Sequence, residues 1–224
     1  MPREQIHVFF DESGTSPGDE YLLVGAVAFH DVNGAESDVK AAYDRAIGSP
    51  HLWSDDEGRA KFSRTGFHHT ADSEPVKQVL LDAMTSLDFR AYAAYSGNPA
   101  PESNVERMVS MYGLLMGSLS SRYRDCEIVF VFEENSDMDR LYARIWGDLL
   151  DEDGDDGRVT ILRGNKKAPC LCVVDYVLGI TRIHLGSNEK AFQGIRFAGL
   201  GTKWAYLIDF DNDKHFGDRK RPIL

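Results

Sequence analysis

The chain is poor in cysteine, in long apolar runs and in basic charge, and each shortage excludes a class of protein. Its three cysteines, Cys126, Cys170 and Cys172, are odd in number and sit within apolar stretches, so buried thiols in a reducing compartment are expected in preference to a disulfide framework. A zinc site built on Cys170-Leu171-Cys172 finds no partners at recognisable spacing. No apolar run approaches the ~20 residues that cross a bilayer, so no membrane association is expected. The opening Met1-Pro2-Arg3-Glu4-Gln5 lacks the apolar segment and cleavage site of a secretory signal, which points to a cytoplasmic location. Lys and Arg number 25 against 36 Asp and Glu, a net charge of -11, which excludes a protein that coats nucleic acid non-specifically. It does not exclude an enzyme acting on nucleic acid, because a metal site needs local carboxylates and a substrate channel needs only local bases. There is no internal repeat and no low-complexity tract.

What is present is a folded α/β pattern. At 224 residues, with 42% hydrophobic and 11% aromatic content, the chain can bury a sizeable core. Ile6-His7-Val8-Phe9-Phe10 has strand composition and runs into Asp11-Glu12-Ser13-Gly14, where Ser13-Gly14 reads as a turn. A second buried strand over 21–29 makes an antiparallel hairpin with the first. A turn cluster at 31–34 precedes a helix over 35–47. Residues 48–70 are irregular and read as an insertion or lid, and Asp72 or Ser73 caps a further helix that runs through Met84. A strand at 89–96, a long helix at about 102–123 and a strand at 127–132 follow, the last ending in Glu133-Glu134. Beyond it come a helix from Ser136 or Asp137 to Leu150, a loop with five acids at 151–157, a strand at 158–163, a helix at about 170–185 and a final strand around 204–210.

With the segment from Ala35 to Met84 set aside, the order is strand, strand, strand, helix, strand, helix, strand, helix, which matches the ribonuclease H-like fold. The expected architecture is a single domain over 1–224: a mixed five-stranded sheet flanked by helices, a helical and irregular insertion at about 35–86 after the second strand, and a C-terminal extension at about 190–224. In such a sheet the first strand and the strand after the long helix lie parallel and adjacent, so their C-terminal ends meet where ligands of open α/β sheets collect. Asp11 or Glu12 ends the first, and Glu133 or Glu134 ends the other. Asp175 supplies a third acid: it lies four residues after Leu171 and three before Leu178, on the inward face of the last helix. A carboxylate on that face is costly to bury unless it is paired or metal-bound.

Three motifs together resemble the DUF3800 family: the opening Phe9-Phe10-Asp11-Glu12-Ser13-Gly14, the Phe67-His68 before a helix, and Cys170-Leu171-Cys172-Val173-Val174-Asp175-Tyr176. Val174 stands where that family usually has Ala, and Glu133-Glu134 where an Asp is often seen. The resemblance implies a ribonuclease H-like nuclease. Hard oxygen ligands at strand ends suit Mg²⁺ or Mn²⁺, and two such ions would activate water and stabilise the leaving oxygen of a phosphodiester. Asp11, Glu133, Glu134 and Asp175 are the candidate metal ligands, with Glu12 an auxiliary acid and His68 and His69 candidates for a proton shuttle or phosphate contact. Lys166, Lys167 and Arg182 are candidate contacts to the phosphates of a DNA or RNA substrate. The competing expectation is a catalytically degenerate binding or effector module, in a larger, defence-related complex with a protein partner or as a homo-oligomer. A hydrolase of small phosphorylated molecules is a third.

Overall fold

The computed structural model describes residues 3–16, 18–97, 104–133, 145, 147, 157–164, 168–186 and 196–217. Its strands are β1 (Gln5–Ser13), β2 (Tyr21–Phe29), β3 (Arg90–Gly97), β4 (Glu127–Glu133), β5 (Val159–Gly164), β6 (Trp204–Asp209) and β7 (Lys214–Phe216). Its helices are α1 (Val32–Gly48), α2 (Asp56–Thr65), α3 (Glu74–Ser86), α4 (Asn104–Arg122) and α5 (Leu171–Gly186). The sheet runs β5-β4-β1-β2-β3-β6-β7. β1, β2 and β3 pair antiparallel, whereas β4 lies parallel to β1 and β5 parallel to β4. That is the ribonuclease H-like arrangement expected from the element order.

The sheet has seven strands rather than the expected five. β6 joins the free edge of β3 in parallel, burying Leu207 and Ile208, and β7 folds back on β6. All three residues of β7 are exposed, so it leaves no apolar pattern to read.

Two cores flank the sheet. Phe9, Leu23, Val27, Val129 and Val131 face α1, α3 and α5, while Val8, Phe10, Val24, Phe130 and Phe132 face α4. Helices on both faces explain why β2 and β4 read as continuous apolar runs instead of alternating ones. The insertion over 35–86 is mostly helical. Its middle part, read from sequence as a lid, carries α2 and sends Phe62 and Phe67 into the core, where Phe62 lies 5.2 Å from Tyr43 at 18°. The turn cluster at 31–34 is in fact the start of α1: Asp31 caps the helix by accepting from Gly34 N–H at 2.9 Å. The helix expected to reach Leu150 and the acidic loop after it fall largely outside the described residues. Among the described residues no helix is long and apolar enough to cross a membrane.

Candidate carboxylate site

β1 continues through Ser13, so its two acids lie within the last paired residues instead of beyond the strand. Side chains alternate across a strand. Asp11 therefore shares the face of Phe9, toward α5, and Glu12 shares the face of Phe10, toward α4. On β4 the same alternation puts Glu133 on the face of Val129 and Val131. The parallel register pairs Phe10 with Phe132, so Asp11 and Glu133 are the next residues along two adjacent strands, at a spacing of ~4.8 Å.

A missing side chain opposite Asp11 brings the third acid in. Asp11 pairs with Gly25 of β2, and a Cβ on Gly25 would stand 2.7 Å from Cδ2 of Leu178. Glycine there lets α5 settle onto the sheet with Leu178 in the gap. Asp175, one turn earlier on the same face, is thereby set over the end of β1.

The segment just before α3 fixes Asp175 from the other side. Asp175 Oδ2 accepts from the His69 N–H at 2.7 Å and lies 3.5 Å from His68 Nδ1. The next residue on α5, Tyr176, donates its hydroxyl to Asp72 Oδ2 at 2.5 Å, and Asp72 also accepts from the His68 N–H at 2.8 Å. Residues 68–72 and the Asp175-Tyr176 pair thus form a reciprocal clamp. The His69 ring is buried and packs on α5 at Gly179, where an added Cβ would stand 2.1 Å from His69 Nδ1. Burial holds His69 down at a pKa of about 4, so the ring is neutral near pH 7.

The electrostatics are those of crowded acids. Asp11 is pushed well above the ordinary carboxylate range, first by burial and then by Asp175, Glu12 and Glu133. Asp175 is also raised by burial, which His68 and the His69 N–H oppose and Glu133 reinforces. Asp72 is raised, again chiefly by burial. Three carboxylates from separate stretches of chain therefore repel one another at the C-terminal ends of β1 and β4.

No family model matches the chain, and no curated protein sequence matches it. Among solved structures it is similar to a chain in the PCNA:RNase HII complex from Archaeoglobus fulgidus, with 14% identity, a TM-score of 0.46, and coverage of 80% of this chain and 73% of that one. At that distance the likeness says nothing about activity.

The structure brings together Asp11, Glu133, Asp175 and His68, and it separates Glu12 from them. Glu12 accepts from the Tyr112 hydroxyl of α4 at 2.5 Å, on the opposite face of the sheet. It acts on Asp11 in two opposed ways: its charge raises the Asp11 pKa, and its backbone N–H, which donates to Asp11 Oδ1 at 2.9 Å, lowers it. Arg182, seven residues after Asp175 on the same stripe of α5, lies 3.5 Å from Asp19 and lowers the Asp175 pKa. Glu134, Lys166 and Lys167 fall outside the described residues. Of the two helix caps that the sequence offers before α3, Ser73 holds the position, which leaves Asp72 free for the clamp. Sequence reasoning assigned Tyr176 no role. The available signal was the adjacency of Tyr176 to Asp175 and the polar run His68-His69-Thr70-Ala71-Asp72.

The donor set suits a hard divalent cation: it is all oxygen, and its acids repel in the absence of a counter-charge. It is not a finished cage. Among the described residues, no three His, Cys, Asp or Glu side chains are grouped closely enough to hold an ion as they stand.

Proposed function

We propose that this chain is a divalent-metal-dependent hydrolase of phosphodiester bonds in DNA or RNA, and a member of the DUF3800 family. The observation that carries the reading is Asp11: a carboxyl at a strand end with its pKa raised well above normal by burial and by Asp175, Glu12 and Glu133. A fold has little reason to gather acids in this way for stability alone, since each raises the cost of ionising the next. Function at such a site supplies one.

Asp11, Glu133 and Asp175, with Glu134 beside them in sequence, are the residues that would hold Mg²⁺ or Mn²⁺. The bound ions would supply charge neutralisation at the phosphate and a water activated for attack. Asp11 and Glu133 are held by paired backbone and Asp175 by the clamp, so the acids are pre-positioned before substrate arrives. His68, half exposed and 3.5 Å from Asp175, is placed to contact a phosphate or pass a proton to solvent. Arg182 adds one positive charge on the same helix face.

The net charge of -11 favours a second reading, a degenerate ribonuclease H-like module that binds a partner without cutting nucleic acid. Incubating the protein with labelled single- and double-stranded DNA and RNA, in Mg²⁺, Mn²⁺ or EDTA, separates the two. Cleavage in Mg²⁺ or Mn²⁺, absent in EDTA and in Asp11→Asn and Asp175→Asn, is expected. No cleavage under any condition would leave the binding module.

A further inference from the structure

Beside the carboxylates lies a half-open cleft of about 330 Å³ between α1, the C-terminal end of α2 and the turn that leads into α5. Tyr43, Phe67, Pro169 and Cys172 give it mainly apolar walls, and Lys40 and Arg64 stand at its exposed mouth. Its volume is at the small end of ligand sites, enough for one flat ring system with a polar substituent.

Two chain connections join the cleft to the acids. Phe67 lines the cleft, and the next residue, His68, approaches Asp175 to 3.5 Å. Cys172 also lines it and sits one turn before Asp175 on α5, ~5–6 Å away between Cβ atoms. A ligand in the cleft would therefore lie about one nucleotide from the carboxylates.

The chemistry of the walls narrows the occupant. The half-buried Tyr43 ring, which stacks on Phe62, and Pro169 give a surface suited to a planar ring, and Phe67, buried against Phe62 and Tyr176, backs the wall. At the end of α2 the Phe62 carbonyl accepts from the Gly66 N–H at 2.7 Å and the Ser63 carbonyl from the Tyr43 hydroxyl at 3.1 Å, which fixes the Tyr43 ring in the cleft wall. Lys40 and Arg64 set two cations at the mouth of a chain whose net charge is -11, which favours an anion there. Lys40 also meets Asp44 at 2.9 Å, but that pair is exposed and weak enough to be exchanged for a phosphate.

We propose that this cleft holds the base of the nucleotide next to the bond on which the carboxylates act, with Lys40 and Arg64 toward its phosphate. The proposal rests on the phosphodiester reading for its orientation but not for its test. In this protein the cleft selects a base position, and a chain otherwise unsuited to nucleic acid gains a local grip beside the acids.

The test is calorimetric titration of the whole chain in EDTA with AMP, UMP and ribose 5-phosphate. AMP or UMP is expected to bind at least about tenfold more tightly than ribose 5-phosphate, the effect of one modest base–aromatic stack. Ala168→Phe, which fills the cleft from a loop, and Tyr43→Ala are each expected to weaken nucleotide binding by about tenfold or more. Tyr43 also packs on Phe62, so Ala168→Phe keeps the test intact if Tyr43→Ala fails to fold. The proposal is overturned if neither nucleotide binds, if ribose 5-phosphate binds equally, or if Ala168→Phe binds as the native chain does. Because no metal is present, nucleotide binding without cleavage in the nuclease assay supports the cleft and removes the nuclease. Cleavage without nucleotide binding removes the cleft alone.

Discussion

Replacing Gly179 by Ala sets two effects of opposite sign against each other, and the clamp decides the outcome. In an ordinary helix interior the change stabilises by about 0.8–1 kcal/mol, because glycine has the poorer helix propensity. At Gly179 the new methyl would stand 2.1 Å from the buried His69 ring, which has no exposed path of retreat. Overpacking of that kind costs about 1–3 kcal/mol. Moving His69 also strains the N–H that donates to Asp175 at 2.7 Å, and a hydrogen bond to a charged group contributes about 1.5–3 kcal/mol. The net expectation is a loss of about 1–3 kcal/mol. For a chain of this length that lowers the melting temperature by roughly 2–10 °C. Gly113 of α4 is the matched control: a Cβ there meets nothing within 4 Å, so Gly113→Ala is expected to raise the melting temperature by a few degrees. The assay is thermal unfolding of both variants beside the native chain. A Gly179→Ala protein as stable as Gly113→Ala would refute the packing of His69 on α5.

Tyr176→Phe removes the hydroxyl that donates to Asp72, and is expected to cost about 1.5–3 kcal/mol, read as a lower urea midpoint with an unchanged slope. An unchanged midpoint would mean that the Asp72–Tyr176 bond does not hold the clamp. Asp11 makes the metal-free protein sensitive to pH in a definite direction. Its folded pKa is raised, so above the ordinary Asp value the unfolded chain gives up a proton that the folded chain keeps, and Asp11's contribution to stability is lost as pH rises. His69, held down at about 4, works the other way and adds stability between about pH 4 and 6.5. The comparison with Asp11→Asn isolates the acid. Native stability is expected to fall relative to the variant from about pH 4 upward, by ~1.4 kcal/mol per pH unit until the folded chain also releases the proton. A difference that does not change with pH would contradict the crowding of the carboxylates.

Much of the sheet was legible because its central strands are buried on both faces. The apolar runs of β1, β2 and β4 can hardly be anything else, and their order implies which strands meet. Asp11 and Asp175 were legible for a related reason, as acids at positions where the pattern demands burial. The edge of the sheet was harder. β7 is short and exposed, and pairing alone defines it. The segment over 48–70 misled because its turn residues outnumber its apolar ones, although Phe62 and Phe67 suffice to anchor it. The clamp was invisible for a different reason: two of its three bonds use backbone N–H groups, which carry no sequence signature. Likewise, the role of Gly25 appears only once Leu178 is known to lie against it.

The most direct test of a carboxylate site that takes a metal is thermal unfolding of the native chain, Asp11→Asn and Asp175→Asn, each with EDTA and with excess Mn²⁺. Binding to the native state alone stabilises by about 2.7 kcal/mol at a hundredfold excess over the dissociation constant. Mn²⁺ is therefore expected to raise the native melting temperature by roughly 5–10 °C. In EDTA Asp11→Asn should melt no lower than the native chain, because it relieves repulsion, whereas Asp175→Asn also weakens the bond from the His69 N–H; both variants should gain little from Mn²⁺. A native melting temperature indifferent to Mn²⁺, or an equal rise in all three proteins, would contradict the account.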